Sequence, residues 1–430
     1  MIKSVFASLI AALSLAAPAM AQQAVPVIAI PPLSTPKDTP TDAGGTLSIA
    51  WQATQLIGSD LRTTAEVLAL PPDQKDFYSY PEVTAPNYPK WRAAGVKGLL
   101  TGFVQARADG RLAVGCYIYD VEKRTEMGRI GFVVAANDWR RAAHKCSGLA
   151  YQQFVGAPGV FDTRIAYVAR SGSGPTEVTR VAVMDSDGVN HAYVTPGGTR
   201  VLTPRLSPRA NRIAYVSFAD GQPQVRVADA NGERDSAILP AMGMTFSPRF
   251  SPDGNSLLLS AVNLGNTDLY ISNLGGVGAR RLTTSPGIDT SGSFSPDGSQ
   301  ILFESDRSGT QQIYVMNSDG SNQRRISFGG GSYASPAWSP DGTRIAFVRR
   351  GPEGRRIGTM KIDGSDVRLL TSGPSDEGPA WAASSREILF QRTEAGGRTA
   401  LYRVTIAGNP PRKVLVPQDG MDPDWSGVRE

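Results

Sequence analysis

The chain is poor in the residues that most often carry catalysis. Its 430 residues include only two histidines, His144 and His191, and only two cysteines, Cys116 and Cys146. A metal site of the ordinary His-rich type needs more ligands than these, and we expect both histidines to lie on the surface. No Gly-x-Ser-x-Gly nucleophile elbow occurs either, which argues against a serine hydrolase domain. The sequence therefore offers no familiar catalytic or metal-binding motif, and no cofactor is predicted.

Long apolar segments are also missing. No segment approaches the roughly 18 to 20 apolar residues that span a bilayer. The one shorter run, residues 5–17, follows Lys3 and precedes the Ala-x-Ala pattern of residues 19–21. This order is typical of a secretory signal peptide, so we predict that residues 1–21 are removed after Ala21. No cysteine follows the run to take a lipid anchor, and we expect the mature chain to be exported without an integral membrane segment.

Charge of one sign is not concentrated anywhere. The net charge is +5, but the arginines are scattered in pairs among similar numbers of acidic residues. Such charges usually form solvated faces, so nucleic-acid binding is not predicted. The composition, 40% hydrophobic and 19% charged, is that of a globular protein. A mature chain of this length exceeds the roughly 250 to 300 residues of a single core, which predicts two domains.

The most informative feature is a repeated Ser-Pro-Asp-Gly sequence. It occurs at 251–254, 295–298 and 339–342, always 44 residues apart, with a degenerate copy at 207–210. Each copy stands between two short strand patterns, and further Asp-Gly, Asn-Gly or Gly-Gly turns separate two more. These dipeptides tolerate the positive φ of type I′ hairpin turns. Six such units of four strands predict a six-bladed β-propeller.

The ends of the repeat region predict how the ring closes. The first unit, which starts near Thr163, lacks an inner strand, whereas residues 421–427 read as an inner strand with nothing after them. We expect this carboxy-terminal strand to complete the first blade, because closure removes the free sheet edges. Residues 158–430 are accordingly assigned to the propeller.

Residues 22–157 have the pattern of a small α/β domain with helices against a mixed sheet. We predict strands at 26–33, 98–106, 111–121 and 128–135, helices at 46–67 and 91–95, a last helix capped by Asn137 or Asp138, and a loop at 71–89. His144 is placed on the exposed side of the last helix. Cys116 falls in a strand and Cys146 in that helix, which leaves open a disulfide or two buried free thiols.

Acidic turns such as residues 185–188 and 317–320 superficially resemble calcium loops. None continues with the spaced acidic ligands and closing Glu that hold the ion, so they are interpreted as turns. A cation in the central channel, held by Asp289, Glu377 or Asp422, remains an alternative to acids that simply line the mouth of the ring.

The order of segments resembles the TolB family of the Tol–Pal system. The residues that carry this resemblance are "SDLR" (59–62), "WRAAGVKGLLTG" (91–102), the junction "GVFDTRIAYV" (159–168) and the six Ser-Pro-Asp-Gly-type blades. The resemblance implies a monomeric, non-enzymatic periplasmic protein. It would bind the lipoprotein Pal through one mouth of the propeller and TolA through its amino-terminal end. This role supports outer-membrane integrity and invagination during cell division.

The resemblance also implies which residues make these contacts. Loops that enter the inner strands build the Pal surface, and here they carry Met244, Thr245, Ser247, Asp289, Thr290, Tyr333, Ser335, Glu377 and Asp422. The TolA contact falls on Gln22, Gln23, Ala24 and Val25. Members of the family have a longer segment at this point. Either a shorter contact is made, with residues 26–30 as an added edge strand, or the link to TolA is weaker.

Two functions of other classes remain open. An exported propeller hydrolase or lactonase with a channel-bound cation would need convergent acidic and amide side chains from several inner strands. Those strands offer mainly Ser, Thr, Pro and aromatic residues. A glycan-binding propeller is the second alternative.

Overall fold

The computed structural model describes residues 25–64, 66–71, 80–238, 242–274 and 278–429. It contains one five-stranded sheet with helices near the amino terminus and six four-stranded antiparallel sheets that form a propeller. The predicted signal peptide and Gln22, Gln23 and Ala24 lie outside these ranges. Within them, no helix has the length and apolar character needed to cross a membrane.

The described residues of the amino-terminal part form seven strands and four α-helices. They are β1 (Val27–Ala29), β2 (Pro40–Thr41), β3 (Gly44–Gly45), α1 (Thr46–Thr63), β4 (Leu68–Ala69), α2 (Tyr80–Thr84), α3 (Tyr88–Ala93), β5 (Gly98–Ala106), β6 (Leu112–Asp120), β7 (Thr125–Val134) and α4 (Trp139–Val155). The main sheet has the order β4-β1-β5-β6-β7. Strand β1 is shorter than predicted because Pro31 and Pro32 lack the N–H groups that a sheet needs.

Helices cover both faces of this sheet. Helices α1 and α4 pack on one face, where Ile57, Leu61 and Leu100 are fully buried, and Trp91 of α3 packs on the other. Cys116 on β6 and Cys146 on α4 are joined by a disulfide with a Cα–Cα distance of 5.9 Å. Of the two alternatives left open by the sequence, the structure therefore has the bonded pair, which holds α4 against the sheet.

Two local predictions for this part were wrong. Residues 71–89 are not a single loop, because α2 forms there and α3 begins at Tyr88. The side chain of Asp138 makes no capping hydrogen bond to α4, and a 3-10 turn at Ala136–Asp138 leads into that helix instead.

The six blades follow in chain order. Their strands, from the inner to the outer edge, are β31 (Asp419–Trp425), β8 (Arg164–Ser171), β9 (Val178–Asp185) and β10 (Ala192–Tyr193); β11 (Val201–Leu206), β12 (Arg212–Ser217), β13 (Gln224–Asp229) and β14 (Asp235–Ala237); β15 (Thr245–Phe250), β16 (Ser256–Asn263), β17 (Asn266–Asn273) and β18 (Ala279–Arg281); β19 (Asp289–Phe294), β20 (Gln300–Ser305), β21 (Gln312–Asn317) and β22 (Arg324–Arg325); β23 (Ser332–Trp338), β24 (Arg344–Gly351), β25 (Gly354–Lys361) and β26 (Arg368–Leu369); and β27 (Asp376–Trp381), β28 (Glu387–Thr393), β29 (Thr399–Thr405) and β30 (Arg412–Val414).

The carboxy-terminal strand closes the ring as predicted. Strand β31 pairs antiparallel with β8 from Asp419↔Arg170 to Trp425↔Ile165. The indole Nε1 of Trp425 donates to Thr163 Oγ1 at 2.8 Å, and its ring joins a buried cluster that continues into the amino-terminal helices. The last strand of the chain thus contributes both to the first blade and to the core shared by the two parts.

The Ser-Pro-Asp-Gly turns are not type I′ hairpin turns. In each copy the Gly N–H donates to the Ser carbonyl oxygen at 2.8–2.9 Å, and within the turn only Gly254, Gly298 and Gly342 have positive φ, of 71–72°. A type I′ turn needs positive φ at both central residues, which are Pro and Asp here. These turns are of type I followed by a left-handed glycine.

Candidate functional site

The antiparallel strands give the propeller two different ends. We call the end where the inner strands begin the mouth face, and the end that carries the Ser-Pro-Asp-Gly turns the turn face. The loops before the inner strands and the second-to-third strand turns lie at the mouth face. The Ser-Pro-Asp-Gly turns and the third-to-fourth strand turns lie at the turn face.

A ring of six β-bulges surrounds the channel near the mouth face. One residue of each inner strand has a positive φ, between 45° and 62°, where its pairing register shifts: Thr203, Ser247, Ser291, Ser335, Gly378 and Asp422. Left-handed backbone is uncommon outside glycine and persists where neighbouring groups hold it. Some of those groups are side chains, since Ser335 N donates to Glu304 Oε1, and Asp422 N to Gln391 Oε1 at 2.6 Å.

Three of the nine residues predicted for the mouth surface are buried. Thr245 and Asp289 have no exposed surface, and Tyr333 is 2% exposed. Thr245 Oγ1 accepts from Val225 N at 2.7 Å, Asp289 pairs with Arg307 at 2.7 Å, and the Tyr333 hydroxyl donates to a backbone carbonyl. In this conformation these side chains support the mouth from below and cannot contact a partner, which corrects their predicted role.

The other six predicted residues lie at or near the channel entrance. Met244 is 38% exposed in the loop before β15, and Ser247, Ser335, Glu377 and Asp422 line a cavity of about 170 Å³ at the mouth end of the channel. Thr290 directly precedes the bulge of β19 and is partly buried. Glu377 is already engaged, because Arg355 lies 2.9 Å and Arg350 3.7 Å from its carboxylate.

The most exposed apolar side chains of the mouth face were not predicted from the sequence. Leu264 is fully exposed in the turn between β16 and β17, Ile288 is 53% exposed, and Phe328 is 61% exposed. The guanidinium of Arg325 lies 5.2 Å from the Phe328 ring centroid, in cation–π contact. A large apolar residue beside Gly, Asn or Pro in a loop is the signal that could have identified these positions.

The mouth face also carries arginines that were not singled out. Arg349 donates to the carbonyl oxygen of Gly330 at 3.2 Å, and Arg325 donates to that of Ser327 at 2.6 Å. Neither of these two has a carboxylate partner among the described residues. Together with Arg350 and Arg355, which share Glu377, they give this side of the mouth an excess of positive charge.

The amino-terminal part docks on the turn face through a buried histidine. His144 of α4 is 1% exposed; its Nδ1 lies 2.8 Å from Asp60 of α1 and its Nε2 3.4 Å from Asp187, in the turn after β9. Burial alone would lower the pKa of His144, but the carboxylates of Asp187 and Asp60 raise it to about 9. The prediction that His144 faces solvent was wrong, because the polar side of α4 packs against the first blade. His191 is partly buried and bonds to the Tyr167 hydroxyl at 2.8 Å.

One further ion pair joins the same surfaces, and a second lies at the junction between the two parts. Arg386, in the sixth blade, donates to Glu66 of the amino-terminal part at 2.8 Å, and Glu66 also accepts from the Tyr151 hydroxyl. Arg429 near the carboxy terminus donates to the buried Asp162 at 2.8 Å. The first and sixth blades therefore hold the amino-terminal part, while the mouth face stays uncovered.

The acids proposed for a channel cation have other partners. Asp289 pairs with Arg307, Glu377 with Arg355, and Asp422 Oδ2 accepts from Thr203 N at 3.2 Å. Within the described ranges, no group of three or more His, Cys, Asp or Glu side chains is arranged to hold a metal ion.

Comparison with known families identifies the architecture. Residues 151–429 match the TolB beta propeller domain, and residues 20–127 match the TolB amino-terminal domain. The chain belongs to the TolB family. The crystal structure of TolB from Acinetobacter baumannii superimposes with a TM-score of 0.77 at 29% identity, covering 94% of this chain and 97% of that one.

Two curated relatives align with this chain over about half of their length or less. The Tol-Pal system protein TolB of Rhizorhabdus wittichii is 46% identical over 224 residues, which are 50% of this chain and 51% of that protein. The Tol-Pal system protein TolB of Zymomonas mobilis is 47% identical over 200 residues, 46% of this chain and 43% of that protein. In these alignments the chain spans about half the length of the curated relatives it matches.

Proposed function

We propose that this member of the TolB family is an exported, non-enzymatic periplasmic component of the Tol–Pal system. It binds the lipoprotein Pal through the mouth face and communicates with TolA through its amino-terminal end, in support of outer-membrane integrity and invagination during division. Membership of the TolB family supports the assignment to the Tol–Pal system. The observation that carries the site is the uncovered mouth face, with its exposed apolar side chains and excess of arginine.

The mouth face has the physical properties of a protein-binding surface. Leu264, Ile288 and Phe328 are mounted on turns of a closed ring, so little conformational entropy is lost when they are buried. Aromatic and arginine side chains, such as Phe328 and Arg325 here, are enriched among the residues that interfaces bury. Loops on a rigid scaffold are also where binding specificity usually resides. We expect a partner surface with complementary apolar pockets and acidic residues.

Calorimetry with purified Pal from the same organism tests this proposal. The variant Ile288→Ala should weaken binding about tenfold, which corresponds to about 1.4 kcal/mol. Ile362→Ala is a matched control, because Ile362 is 43% exposed but lies in the turn between β25 and β26 on the turn face. Equal affinities of the two variants and the parent protein would refute the mouth as the Pal site. Recovery of calcium-dependent turnover without Pal binding would favour the hydrolase alternative.

The TolA contact is proposed for the residues ahead of β1. Val25 is 48% exposed, whereas β1 itself pairs on both sides, with β4 and with β5. Residues 26–30 therefore cannot act as an added edge strand for a partner, which corrects that alternative. Deletion of Gln22, Gln23, Ala24 and Val25 should reduce affinity for the carboxy-terminal domain of TolA, measured by calorimetry. Unchanged affinity would assign the contact to another surface.

A contiguous route joins that end to the propeller. Helix α4 carries His144, which contacts Asp187 of the first blade, and the chain passes from α4 into β8 through residues 156–163. Binding of TolA at the amino-terminal end can change the affinity for Pal only if TolA favours one arrangement of this junction. Binding of Pal must then change the affinity for TolA by the same factor. Pal affinity measured with and without TolA tests this coupling.

A further inference from the structure

Two arginines project into the middle of the central channel. Arg205 of β11 and Arg249 of β15 occupy equivalent positions in adjacent blades, two residues after the bulge. Both line the mouth-side cavity and also a second cavity of about 260 Å³ that opens toward the turn face. They therefore stand between the two halves of the channel. The equivalent residues in the other four blades are Ser293, Ala337, Ala380 and Asp424.

The positive charge at this level is not balanced. Asp424 is the one acidic side chain that lines the turn-side cavity, and both its oxygens are used: Arg249 Nη1 lies 3.0 Å from Oδ1, and Leu206 N donates to Oδ2 at 2.8 Å. The hydrogen bonds that Arg205 makes to described residues go to the backbone oxygens of Pro204, at 2.7 Å, and Pro423, at 3.4 Å. Among those residues no carboxylate lies within ion-pair distance of Arg205.

The positive charges of the Arg205 and Arg249 guanidinium groups repel each other. Burial, and then the neighbouring charge of Arg205, lower the pKa of Arg249 to about 10. Arginine presents a planar set of N–H donors that matches carboxylate and phosphate oxygens. An anion between the two side chains would supply the missing counter-charge and would be held by both.

The turn-side cavity is the half of the channel that suits an anion. The mouth-side cavity contains the carboxylates of Glu377 and Asp422, which would repel one. The turn-side cavity has no acid other than Asp424, and it includes Ser293, whose hydroxyl makes no hydrogen bond to any described residue. Its remaining walls are aromatic and small side chains, such as Phe250 and Trp425.

We infer that the turn-side half of the channel is a binding site for a small free oxyanion, a phosphate or carboxylate, held between Arg205 and Arg249 with Ser293 as a third donor. The cavity volume of about 260 Å³ admits a small molecule. This site is separate from the mouth face, so it does not depend on the proposed binding of Pal.

Thermal unfolding and calorimetry with inorganic phosphate test the inference. At constant ionic strength set with sodium chloride, phosphate should raise the melting temperature above that in chloride alone, because a ligand of the folded state stabilises it. Arg205→Gln should weaken phosphate binding at least tenfold. It leaves the Arg249–Asp424 pair in place, so the variant is expected to fold. Arg234→Gln is the matched control, since Arg234 is 88% exposed in the outer part of the same blade.

A second variant keeps the test decisive. Ser293→Asp places a carboxylate beside the two arginines, and should raise the melting temperature in chloride while removing the response to phosphate. A response to phosphate in both Arg205→Gln and Ser293→Asp equal to that of the parent protein would overturn the inference. So would a parent protein that responds to phosphate no more than to chloride.

Discussion

The mouth face and the turn face of the propeller are built from the same repeat but serve different purposes. The mouth face exposes apolar side chains such as Ile288 and Phe328, and none of the described residues of the amino-terminal part packs on it. The turn face carries the amino-terminal part, and the contact includes the buried His144 with Asp187 and the partly exposed ion pair of Arg386 with Glu66. One end of the ring is exposed to solvent, and part of the other is an interface within the chain.

The Ser-Pro-Asp-Gly turns of the turn face use their acidic side chains in hydrogen bonds within the turn. In Ser295-Pro296-Asp297-Gly298 the Asp297 carboxylate accepts from the Ser295 hydroxyl at 2.5 Å and from Ser299 N at 3.1 Å. These hydrogen bonds lower the pKa of Asp297 to about 2. The acid is occupied within its own turn and has little capacity to bind anything else. The amino-terminal part docks where the sixth repeat departs from this pattern, at Ser384 and Arg386.

Removing the closing strand should have the largest effect, because it breaks both faces at once. Deletion of residues 419–430 would leave β8 as a free inner edge. It would also remove Trp425 and Arg429, which bond to the junction residues Thr163 and Asp162, and the Arg429 carbonyl that accepts from Lys145 of α4. Loss of a buried Trp alone costs about 3–5 kcal/mol. We expect the melting temperature to fall by more than about 10 °C, measured by circular dichroism.

Deletion of residues 22–25 at the other terminus is the control for that truncation, and it should leave the melting temperature unchanged. If the protein without residues 419–430 melted like the parent protein, the closing role of β31 would be contradicted.

The pH dependence of stability should separate the turn-face interface from the mouth. The pKa of His144 is raised from about 6.5 to about 9 in the folded protein, so its contribution is fully present below pH 6.5 and is lost as the pH rises through 9. The groups around it are Asp60 of α1, Asp187 of the first blade and Arg140 of α4. We expect the free energy of unfolding to decrease by about 3 kcal/mol over this interval. Chemical denaturation at several pH values measures it.

The control isolates His144 from other groups that titrate in the same interval. His144→Gln should be less stable than the parent protein at pH 6 and should lose this part of the pH dependence. His191→Gln, which changes the other histidine of the sequence, should keep it. The same slope in all three proteins would show that the interface does not depend on the charge of His144.

Much of the propeller could be predicted from the sequence because its signal is local and repeated. The 44-residue register placed every inner strand, and the unmatched ends predicted the pairing of β31 with β8. His144 was misplaced because helical spacing shows only which residues share a face of α4. The same face can meet solvent or another domain, and its partner Asp60 is 84 residues away in the sequence.

The candidate site was predicted less well than the fold. Ring symmetry located the loops at the channel entrance, but it could not distinguish side chains that point toward solvent from those that point between blades. Asp289 and Tyr333 are in the second group, because they lie two residues before the bulge and their side chains are covered by neighbouring strands. The exposed apolar residues were missed since they follow no repeat.

Replacement of a turn-face glycine should have the smallest effect on stability among these predictions. It also tests whether a change at the turn face alters binding at the mouth face. Gly342 has φ of 72° in the turn after β23, and a Cβ added there would meet nothing closer than 3.9 Å. Gly342→Ala should therefore cost about 1–2 kcal/mol through backbone strain alone. Gly351→Ala is the control, because Gly351 has no left-handed φ and its added Cβ would lie in open space. We expect Gly342→Ala to lower stability without changing Pal affinity, and Ile288→Ala to do the reverse. If Gly342→Ala weakened Pal binding as much as Ile288→Ala, the two faces would be mechanically coupled rather than separate.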